Sequence, residues 1–343
     1  MKIIFLVDFD YYQSIISALG NCQFSGRMQN MKFSIVIPLY NKQDYIERAI
    51  NSVLNQLGNN DREYEVIVVD DGSVDDSLAI VKRIQQVLDH DVIKVFSHVN
   101  SGVSATRNKG IELASADYIA FLDADDTYEP HFLNEIEGMI NAFAEAAMLA
   151  TAYCFVDTAT GAKRVARIAG ITTGIGPQRL NDFFHSAANG DLPVTSSSVC
   201  INKRALKSVG GFPEGENMGE DQAVWSQIAL KYPVVISPEV CANYFEDNAS
   251  SLMQTVSPSD EMPFSKRLQR QLNQNDIGGH KKSSIKQYVA AHLLDLVRRN
   301  IQAGDLIRAR ALLSDRRARS QFKRWVFWSL KLHWARIRQS VQF

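Results

Sequence analysis

Three carboxylates stand close together in the sequence, at Asp123, Asp125 and Asp126, directly after the apolar run 118–122. Carboxylates this close repel one another, and such a cluster is tolerated best when a cation sits between its members. Oxygen ligands suit Mg²⁺ or Mn²⁺, and a cation held by one or two carboxylates usually completes its shell with substrate phosphates. The pattern favours a metal and phosphate site, although a loop in which Asp126 or Thr127 caps the next helix has the same spacing.

The elements that must position these carboxylates follow from the hydrophobic periodicity of the first half of the chain. Strands are predicted over 33–38, 65–69, 92–96 and 118–122, alternating with helices over 44–57, 75–88 and 102–113. This order predicts parallel strands joined by right-handed crossovers. Each strand ends in a polar pair, namely Pro38 and Tyr40, Asp70 and Asp71, Asn100 and Ser101, and Asp123 and Asp125. All four pairs therefore gather at the carboxyl edge of the sheet, where open α/β folds bind ligands.

Two glycine-rich nucleotide-binding patterns are absent from the sequence. No G-x-G-x-x-G follows the first predicted strand, and no G-x-x-x-x-G-K-[ST] occurs anywhere. A dinucleotide-binding dehydrogenase and a P-loop NTPase therefore lose their main support. A nucleotide site built from carboxylates and a metal ion fits the sequence better.

The second half of the chain has a more mixed pattern. The predicted helices are 129–147 and 222–230, the predicted strands are 148–156, 194–201, 234–236 and 240–245, and the loop-rich region is 157–192. The helix over 222–230 follows directly on Glu220 and Asp221. Two acidic residues in a first helical turn are also what the helix dipole alone would favour.

Length and composition indicate a globular protein with one large domain and an extension. The chain has 343 residues, of which 45% are hydrophobic and 22% charged. Its four cysteines show no C-x-x-C spacing, and three lie in apolar runs, so reduced, buried thiols in a cytosolic protein are expected. No apolar run reaches the length of a transmembrane helix. Residues 1–31 precede the first clear strand and are predicted to be an appendage of unknown role. They do not resemble a good signal peptide, because Asp8 and Asp10 interrupt their short apolar run.

Charge is distributed unevenly along the chain, although the net charge is only −1. Residues 264–343 hold 18 Lys and Arg against 4 Asp and Glu. The periodicity there predicts three helices, over 288–301, 306–313 and 322–341. The last is rich in tryptophan, and its Arg324, Lys331 and Arg338 recur every seven residues, which favours an anionic membrane surface as partner. A helical bundle whose tryptophans pack on the rest of the protein is the alternative, and nucleic acid is not expected because no recognition module is present.

Five sequence blocks together resemble the family 2 inverting glycosyltransferases. They are FSIVIPLYN at 33–41, VVDDGS at 68–73, GVSATRNKG at 102–110, LDADD at 122–126 and GED at 219–221. In this order they are far more specific than any one of them alone. The resemblance implies a GT-A fold, with a Rossmann-like, mostly parallel central sheet flanked by helices and a C-terminal helical extension. The implied division is an appendage over 1–31, a glycosyltransferase domain over 32–255 and a basic helical extension over 256–343.

The resemblance also implies an activity. The family moves a sugar from a nucleoside-diphosphate sugar, expected here to be a UDP-sugar, to an acceptor hydroxyl with inversion at the anomeric carbon, using Mn²⁺ or Mg²⁺. Asp221 corresponds to the general base that deprotonates the acceptor, with Glu220 beside it. Asp125 corresponds to the direct metal ligand, and Asp123 to the carboxylate near the ribose and the metal.

Seven positions are implied to bind the donor nucleotide, namely Pro38, Tyr40, Asn41, Asp71, Gly102, Arg107 and Asp123. Asp71 would contact the base, and Arg107 would lie near the base or the phosphates. The sequence departs from the family in having no histidine within 244–252, so Asp247 or Asn248 would supply any further contact to metal or diphosphate. The acceptor pocket is expected within residues 157–220.

The implied setting is synthesis of a cell-surface polysaccharide or lipopolysaccharide on a glycan or lipid-linked acceptor, in the cytoplasm or on the inner face of the cytoplasmic membrane. Two other functions stay open at this point: a nucleotidyltransferase, and a non-catalytic scaffold that binds nucleotide sugars. Single motifs also have simpler interpretations. Residues 70–73 could be a turn and helix cap, and Arg107 could belong to a solvated helix face.

Overall fold

The computed structural model describes residues 33–56, 64–88, 92–216, 218–246, 260–274 and 277–341. The appendage predicted over 1–31 and the contacts predicted for Asp247 and Asn248 lie outside these residues. The described strands are β1 Phe33–Leu39, β2 Tyr64–Asp70, β3 Ile93–Ser97, β4 Tyr118–Phe121, β5 Thr127–Tyr128, β6 Met148–Asp157, β7 Lys163–Val165, β8 Gln178–Arg179, β9 Val199–Asn202 and β10 Val234–Glu246. The described helices are α1 Ile46–Leu54, α2 Ser77–Val87, α3 Val103–Leu113, α4 Phe132–Ala142, α5 Phe183–Asn189, α6 Lys203–Ser208, α7 Glu220–Lys231, α8 Pro263–Asn273, α9 Gly279–Gln302, α10 Leu306–Ser314 and α11 Phe322–Val341, with 3₁₀ helices at Ser196–Ser198 and Arg316–Gln321.

The strands form one sheet in the order β3-β2-β1-β4-β9-β6-β10-β5. The first four of these are parallel, which confirms the predicted alternation of strands and helices. β9 is antiparallel to both of its neighbours, β4 and β6, and β10 runs parallel to β6. The carboxyl ends of β1, β2, β3 and β4 therefore lie at one edge, where the predicted polar pairs are brought together.

Each face of the sheet packs into its own hydrophobic core, because side chains alternate along a strand. Ile35 and Ile37 of β1 join the core under α1, α2 and α4, whereas Val36 joins the core under α3, α5 and α7. Every residue of β2 is buried, as expected for a parallel strand covered by helices on both faces. The continuous apolar run at 66–69 has this cause.

Several predicted elements differ from the structure. The helix predicted over 129–147 runs only from Phe132 to Ala142, and Thr127–Tyr128 before it pairs with β10 as β5. Within the strand predicted over 194–201, Ser196–Ser198 is instead a 3₁₀ helix. The two short strands predicted over 234–236 and 240–245 are one strand, β10, whose register shifts after Ser237. Pro238 follows there, and proline has no N–H for a sheet ladder, which suits a bulge.

The helices after residue 260 pack against the core that lies under α3, α5 and α7. Phe264 of α8 and Tyr288 of α9 are buried in the same cluster as Phe184 of α5 and Trp225 of α7. These two helices are therefore part of the packed body of the protein. The domain boundary near residue 255 stays a prediction.

Two smaller expectations concern thiols and membrane spans. Cys154, Cys200 and Cys241 are free and buried, as predicted. In the described part of the chain, no helix is both long enough and apolar enough to cross a bilayer.

Candidate active site

Arg107 links two carboxylates that are far apart in the sequence. Its Nη2 donates to Oδ1 of Asp123 at 2.8 Å, and its Nη1 donates to Oε1 of Glu220 at 2.8 Å. The Arg107 side chain is only 5% exposed. Burial alone would lower the pKa of this guanidinium, but the charges of Asp123 and Glu220 outweigh that and raise it. Arg107 is therefore not part of a solvated helix face, and that interpretation is wrong.

Arg107 reaches this position because α3 lies very close to β1. A Cβ atom at Gly110 would lie 2.3 Å from Cγ1 of Val36, so only glycine allows this approach. The helix starts after Gly102, whose φ of +88° favours glycine, and nothing lies within 4 Å of where a Cβ would be. The glycines at both ends of the GVSATRNKG block thus set the placement of Arg107.

Asp221 follows Glu220 in the first turn of α7, after Gly219 with a φ of +78°. Burial raises the pKa of Asp221 to about 7, and the neighbouring charge of Glu220 adds to this effect while Arg107 opposes it. A carboxylate whose pKa lies near neutrality is suited to take a proton as a general base. Glu220 is bound by Arg107, so the helix dipole alone does not account for an acidic residue at this position. For Asp221 that simpler interpretation stays open.

Asp123 and Asp125 stand at the end of β4 in different surroundings. Burial raises the pKa of Asp123, and the charge of Asp125 raises it further, against the effect of Arg107. Oδ2 of Asp125 accepts a hydrogen bond from Nζ of Lys42 at 2.6 Å. The backbone oxygen of Asp125 accepts from Nη2 of Arg48, also at 2.6 Å. The positively charged side chains of Lys42 and Arg48 thus hold the loop that carries these carboxylates.

The donor set at Asp123 and Asp125 fits a hard divalent cation. Among the described residues, no group of three or more His, Cys, Asp or Glu side chains could hold a metal. Mg²⁺ and Mn²⁺ are nevertheless commonly bound through one or two carboxylates, with phosphates and water completing the shell. The mutual repulsion that contributes to the raised pKa of Asp123 is what a cation between the two carboxylates would relieve.

Asp126, the third carboxylate of the cluster, has a structural role. Its Oδ2 accepts from the Ser197 hydroxyl at 2.5 Å, and its Oδ1 accepts from the Phe245 N–H at 2.9 Å. It is buried, and this burial raises its pKa well above the usual range. Asp126 joins the 3₁₀ helix and β10 to the loop after β4. The expectation that Asp126 or Thr127 caps the next helix is wrong, because α4 is preceded by His131.

Asp70 and Asp71 stand at the carboxyl end of β2 and bind different neighbours. Oδ1 of Asp71 accepts from the Ser101 N–H at 2.6 Å, and its Oδ2 accepts from the Gly102 N–H at 3.0 Å. Asp71 therefore fixes the start of α3. Asp70 instead accepts from the Ser73 N–H and the Ser97 hydroxyl, so the turn interpretation holds for Asp70.

The loop after β1 is tied to the loop after β2 through Asn41. The N–H of Asn41 donates to the Ser73 hydroxyl at 3.0 Å, and its Oδ1 accepts from the Val74 N–H at 2.9 Å. Asn41 also has a φ of +50°, which is uncommon outside glycine and which asparagine tolerates better than most residues. Pro38 lies within β1, and Tyr40 beside Asn41 is 47% exposed, which leaves its ring open to a ligand.

The structure thus brings the predicted residues to one sheet edge, with Asp71 and Asn41 on one side and Asp123, Glu220 and Asp221 on the other. Sequence reasoning missed Lys42, although its place in the loop directly after the first strand was a usable signal. Ser197 also has a role at this site that the sequence analysis did not predict. The Ser197 hydroxyl accepts from the Asp123 N–H at 3.1 Å while donating to Asp126.

Several known proteins are similar to this chain over part of its length. Residues 34–196 match the family model described as Glycosyl transferase family 2. Over 106 residues the chain is 41% identical to an uncharacterized glycosyltransferase of Nostoc sp., an alignment covering 31% of this chain and 32% of that protein. Over 106 residues it is 40% identical to the minor teichoic acid biosynthesis protein GgaA of Bacillus subtilis, covering 30% of this chain and 24% of that protein. The chain thus spans about a third or less of the length of these curated relatives.

A solved structure shares the fold over nearly the whole chain. It is that of S. aureus TarS 1–349 in complex with UDP-GlcNAc, with a TM-score of 0.65 and 22% sequence identity. The superposition covers 90% of this chain and 88% of that chain. The expected GT-A fold is therefore confirmed.

Proposed function

We infer that this chain transfers a sugar from a UDP-sugar to a hydroxyl group of a glycan or lipid-linked acceptor, with inversion at the anomeric carbon. Its residues 34–196 match the model of the family 2 glycosyltransferases. The observation that carries this proposal is the bridge from Asp123 through Arg107 to Glu220. This bridge sets the donor-side carboxylates next to Asp221, the candidate base. A transfer between two substrates needs both to be held at one place.

Asp221 would act on the acceptor. It takes the proton of the acceptor hydroxyl as the oxygen forms a bond to the anomeric carbon. The bond from that carbon to the diphosphate oxygen breaks at the same time, and its electron pair leaves with the diphosphate. Attack on the face opposite the leaving group inverts the configuration, and a base with a pKa of about 7 can accept this proton at neutral pH.

The donor would lie along the sheet edge from β2 to β4. Asp71, Pro38 and Tyr40 would line the place of the base, beside Asn41 and Gly102, with Arg107 and Asp123 nearer the phosphates. Asp125 and Asp123 would hold Mn²⁺ or Mg²⁺, which when bound supplies positive charge to the departing diphosphate. Tyr40 is exposed, which suits a ring that packs against a bound base.

The acceptor and the setting are proposed from the relatives. GgaA is named for teichoic acid biosynthesis, and the TarS structure contains UDP-GlcNAc. We therefore assign this chain to the synthesis of a cell-surface polysaccharide or lipopolysaccharide, on the inner face of the cytoplasmic membrane. The acceptor would enter between the 157–192 segment and the start of α7.

The first test compares the melting temperature of the protein with UDP, GDP or CMP, each with and without Mn²⁺. We expect a rise of about 5 °C with UDP and Mn²⁺ together, because selective binding stabilises the folded state by mass action. Asp125→Ala should abolish the part of this rise that depends on Mn²⁺. Asp260→Ala is the matched control, because this carboxylate is 77% exposed and pairs only with Arg308 among the contacts of the described residues.

A second measurement separates the competing functions. Release of UDP from a UDP-sugar supports the transferase, and it should be lost in Asp221→Asn while UDP binding remains. Release of diphosphate from UTP would instead identify a nucleotidyltransferase. Normal cellular function of both Asp125→Ala and Asp221→Asn would identify a scaffold, and so would the absence of any response to nucleotide with metal.

A further inference from the structure

α11 has two apolar faces, and among the described residues only one of them packs against the rest of the protein. Trp325 and Trp328 pack against the core, and Leu332 is buried there. The Trp325 Nε1 also donates to the backbone oxygen of Leu313 at 2.9 Å. The spacing of these three residues is i, i+3 and i+7, which defines one face of a helix. This face fixes α11 to the body of the protein.

The second apolar face points to solvent. Phe327, Leu330 and Trp334 are 49%, 58% and 62% exposed, and they too are spaced i, i+3 and i+7. Each stands two residues after a member of the buried face, which turns it by about 200° around the helix axis. The tryptophans predicted to behave alike thus divide: two pack inward and one points outward. We call Phe327, Leu330 and Trp334 the outer stripe.

The outer stripe lies in a strongly basic part of the chain. No acidic residue follows Asp315, and α11 carries five Lys and Arg residues. Lys323, Lys331 and Arg338 of this helix are exposed, and Nζ of Lys331 lies 5.5 Å from the centre of the Phe327 ring. Arg324 differs, because its Nη1 donates to the backbone oxygen of Ala188 at the end of α5. The predicted face of three basic residues is therefore partly committed to the fold.

We propose that the outer stripe inserts into the interfacial layer of an anionic lipid bilayer, with Lys323, Lys331 and Arg338 on the headgroups. Aromatic and leucine side chains flanked by lysine and arginine are typical of helices that lie in the membrane surface. Charge complementarity selects this occupant, because the cores of protein interfaces are depleted in lysine whereas anionic headgroups attract it. The binding needs neither donor nor acceptor, so it goes beyond the proposed transfer reaction.

The experiment measures co-sedimentation of the full chain with vesicles of phosphatidylcholine alone or mixed with phosphatidylglycerol. We expect binding to the anionic vesicles only, with a blue shift of tryptophan emission as Trp334 leaves water. The variant Phe327→Ser, Leu330→Ser, Trp334→Ser should bind at least about tenfold more weakly. Lys323→Gln, Lys331→Gln and Arg338→Gln should each weaken binding about fivefold, and added salt should reduce the effect of each.

Ile307→Ser is the matched control, because Ile307 is an 88% exposed apolar residue on the neighbouring helix α10. It should bind vesicles as the original protein does, and all variants should keep the melting temperature, since the changes are at the surface. The proposal is overturned if anionic vesicles bind the triple variant and the original protein equally. It is also overturned if the original protein does not bind anionic vesicles. Self-association through the stripe would then be detected by sedimentation velocity as a shift to monomer in the triple variant.

Discussion

Nζ of Lys42 lies 2.6 Å from Oδ2 of Asp125, so an ammonium group of the chain contacts the carboxylate proposed to bind the metal. Burial alone would lower the pKa of Lys42, but the charge of Asp125 outweighs this and raises it. Lys42 and a divalent cation bound at the proposed site would therefore compete for the same carboxylate. The contact also keeps Asp125 from remaining an unpaired charge next to Asp123.

Replacing Lys42 by methionine should strengthen binding of Mn²⁺ in the absence of nucleotide. We expect about fivefold, the equivalent of about 1 kcal/mol for a partly exposed ion pair. Free Mn²⁺ measured by electron paramagnetic resonance during a titration gives the affinity directly. Arg179→Met is the control, because it removes an exposed ion pair with Glu145. An unchanged affinity in Lys42→Met would show that Lys42 does not compete with the metal.

The pH dependence of the proposed reaction should report the ionisation of Asp221. Only the deprotonated carboxylate can accept a proton, so kcat/KM should rise with pH through about 7. Glu220→Gln removes the negative charge that helps to raise the pKa of Asp221 and should move this rise to lower pH. Asp221→Asn should lower the rate about 10² to 10⁴-fold and abolish the rise. A rise at the same pH in Glu220→Gln would contradict the assignment.

The ionisation of Asp221 also affects stability, which should decrease with rising pH where the rate increases. The pKa of Asp221 is about 7 in the folded protein and near 3.8 when unperturbed. The folded state therefore holds the proton more tightly between these values. The contribution of Asp221 to the free energy of unfolding should fall as pH rises through this window. Urea unfolding of the original protein and Asp221→Asn, compared at the two ends of the window, isolates this contribution.

Ser197→Ala should destabilise the protein, because it removes a hydrogen bond to the buried Asp126 and the acceptor of the Asp123 N–H. We expect a loss of about 1–3 kcal/mol in the free energy of unfolding. Ser186→Ala is a closely matched control, since the Ser186 hydroxyl is buried without a hydrogen-bond partner among the described residues. Its removal should be nearly neutral. Chemical denaturation measures the free energy of unfolding of both variants. Equal losses in the two would show that the Ser197 hydroxyl does not stabilise this site.

Gly110→Ala should force α3 away from β1. The new Cβ would lie 2.3 Å from Cγ1 of Val36, and overpacking of this kind costs about 1–3 kcal/mol. Gly138→Ala in α4 has open space around the added atom and should stabilise the protein by about 0.5–1 kcal/mol. Adding Val36→Ala to Gly110→Ala should restore part of the loss. Equal melting temperatures for Gly110→Ala and the original protein would show that the close approach is not tight.

The residues that could be placed from the sequence are those that follow an apolar strand. Asp123 comes directly after such a run and Asp71 comes two positions after one, and parallel strands deliver their carboxyl ends to one edge. The contact of Arg107 with Glu220 could not be placed, because 113 residues separate them and only the three-dimensional fold brings them together. The tie from Asp126 to Ser197 has the same character. In the sequence, nothing distinguishes the two residues of either contact from other polar residues.

The tail shows a different limit. Periodicity identified the helix 322–341, but two apolar sets with equal spacing occupy it, and periodicity cannot say which faces the protein. Trp325 and Trp334 are the same residue type on one helix, and only the first packs against the core and donates a hydrogen bond to the backbone oxygen of Leu313 among the described residues. A residue's surroundings, rather than its type, decided the outcome.

The position of β9 between β4 and β6 affects how the chain can be divided. The family match ends at residue 196, before β9 begins at Val199. A fragment ending there would leave β4 paired with β1 on one side only, and β6 without both β9 and β10. Unpaired strand edges of this kind join to other molecules, so such a fragment should aggregate. A piece that keeps these strands paired extends at least through β10, so the span matched by the family model is shorter than the sheet requires.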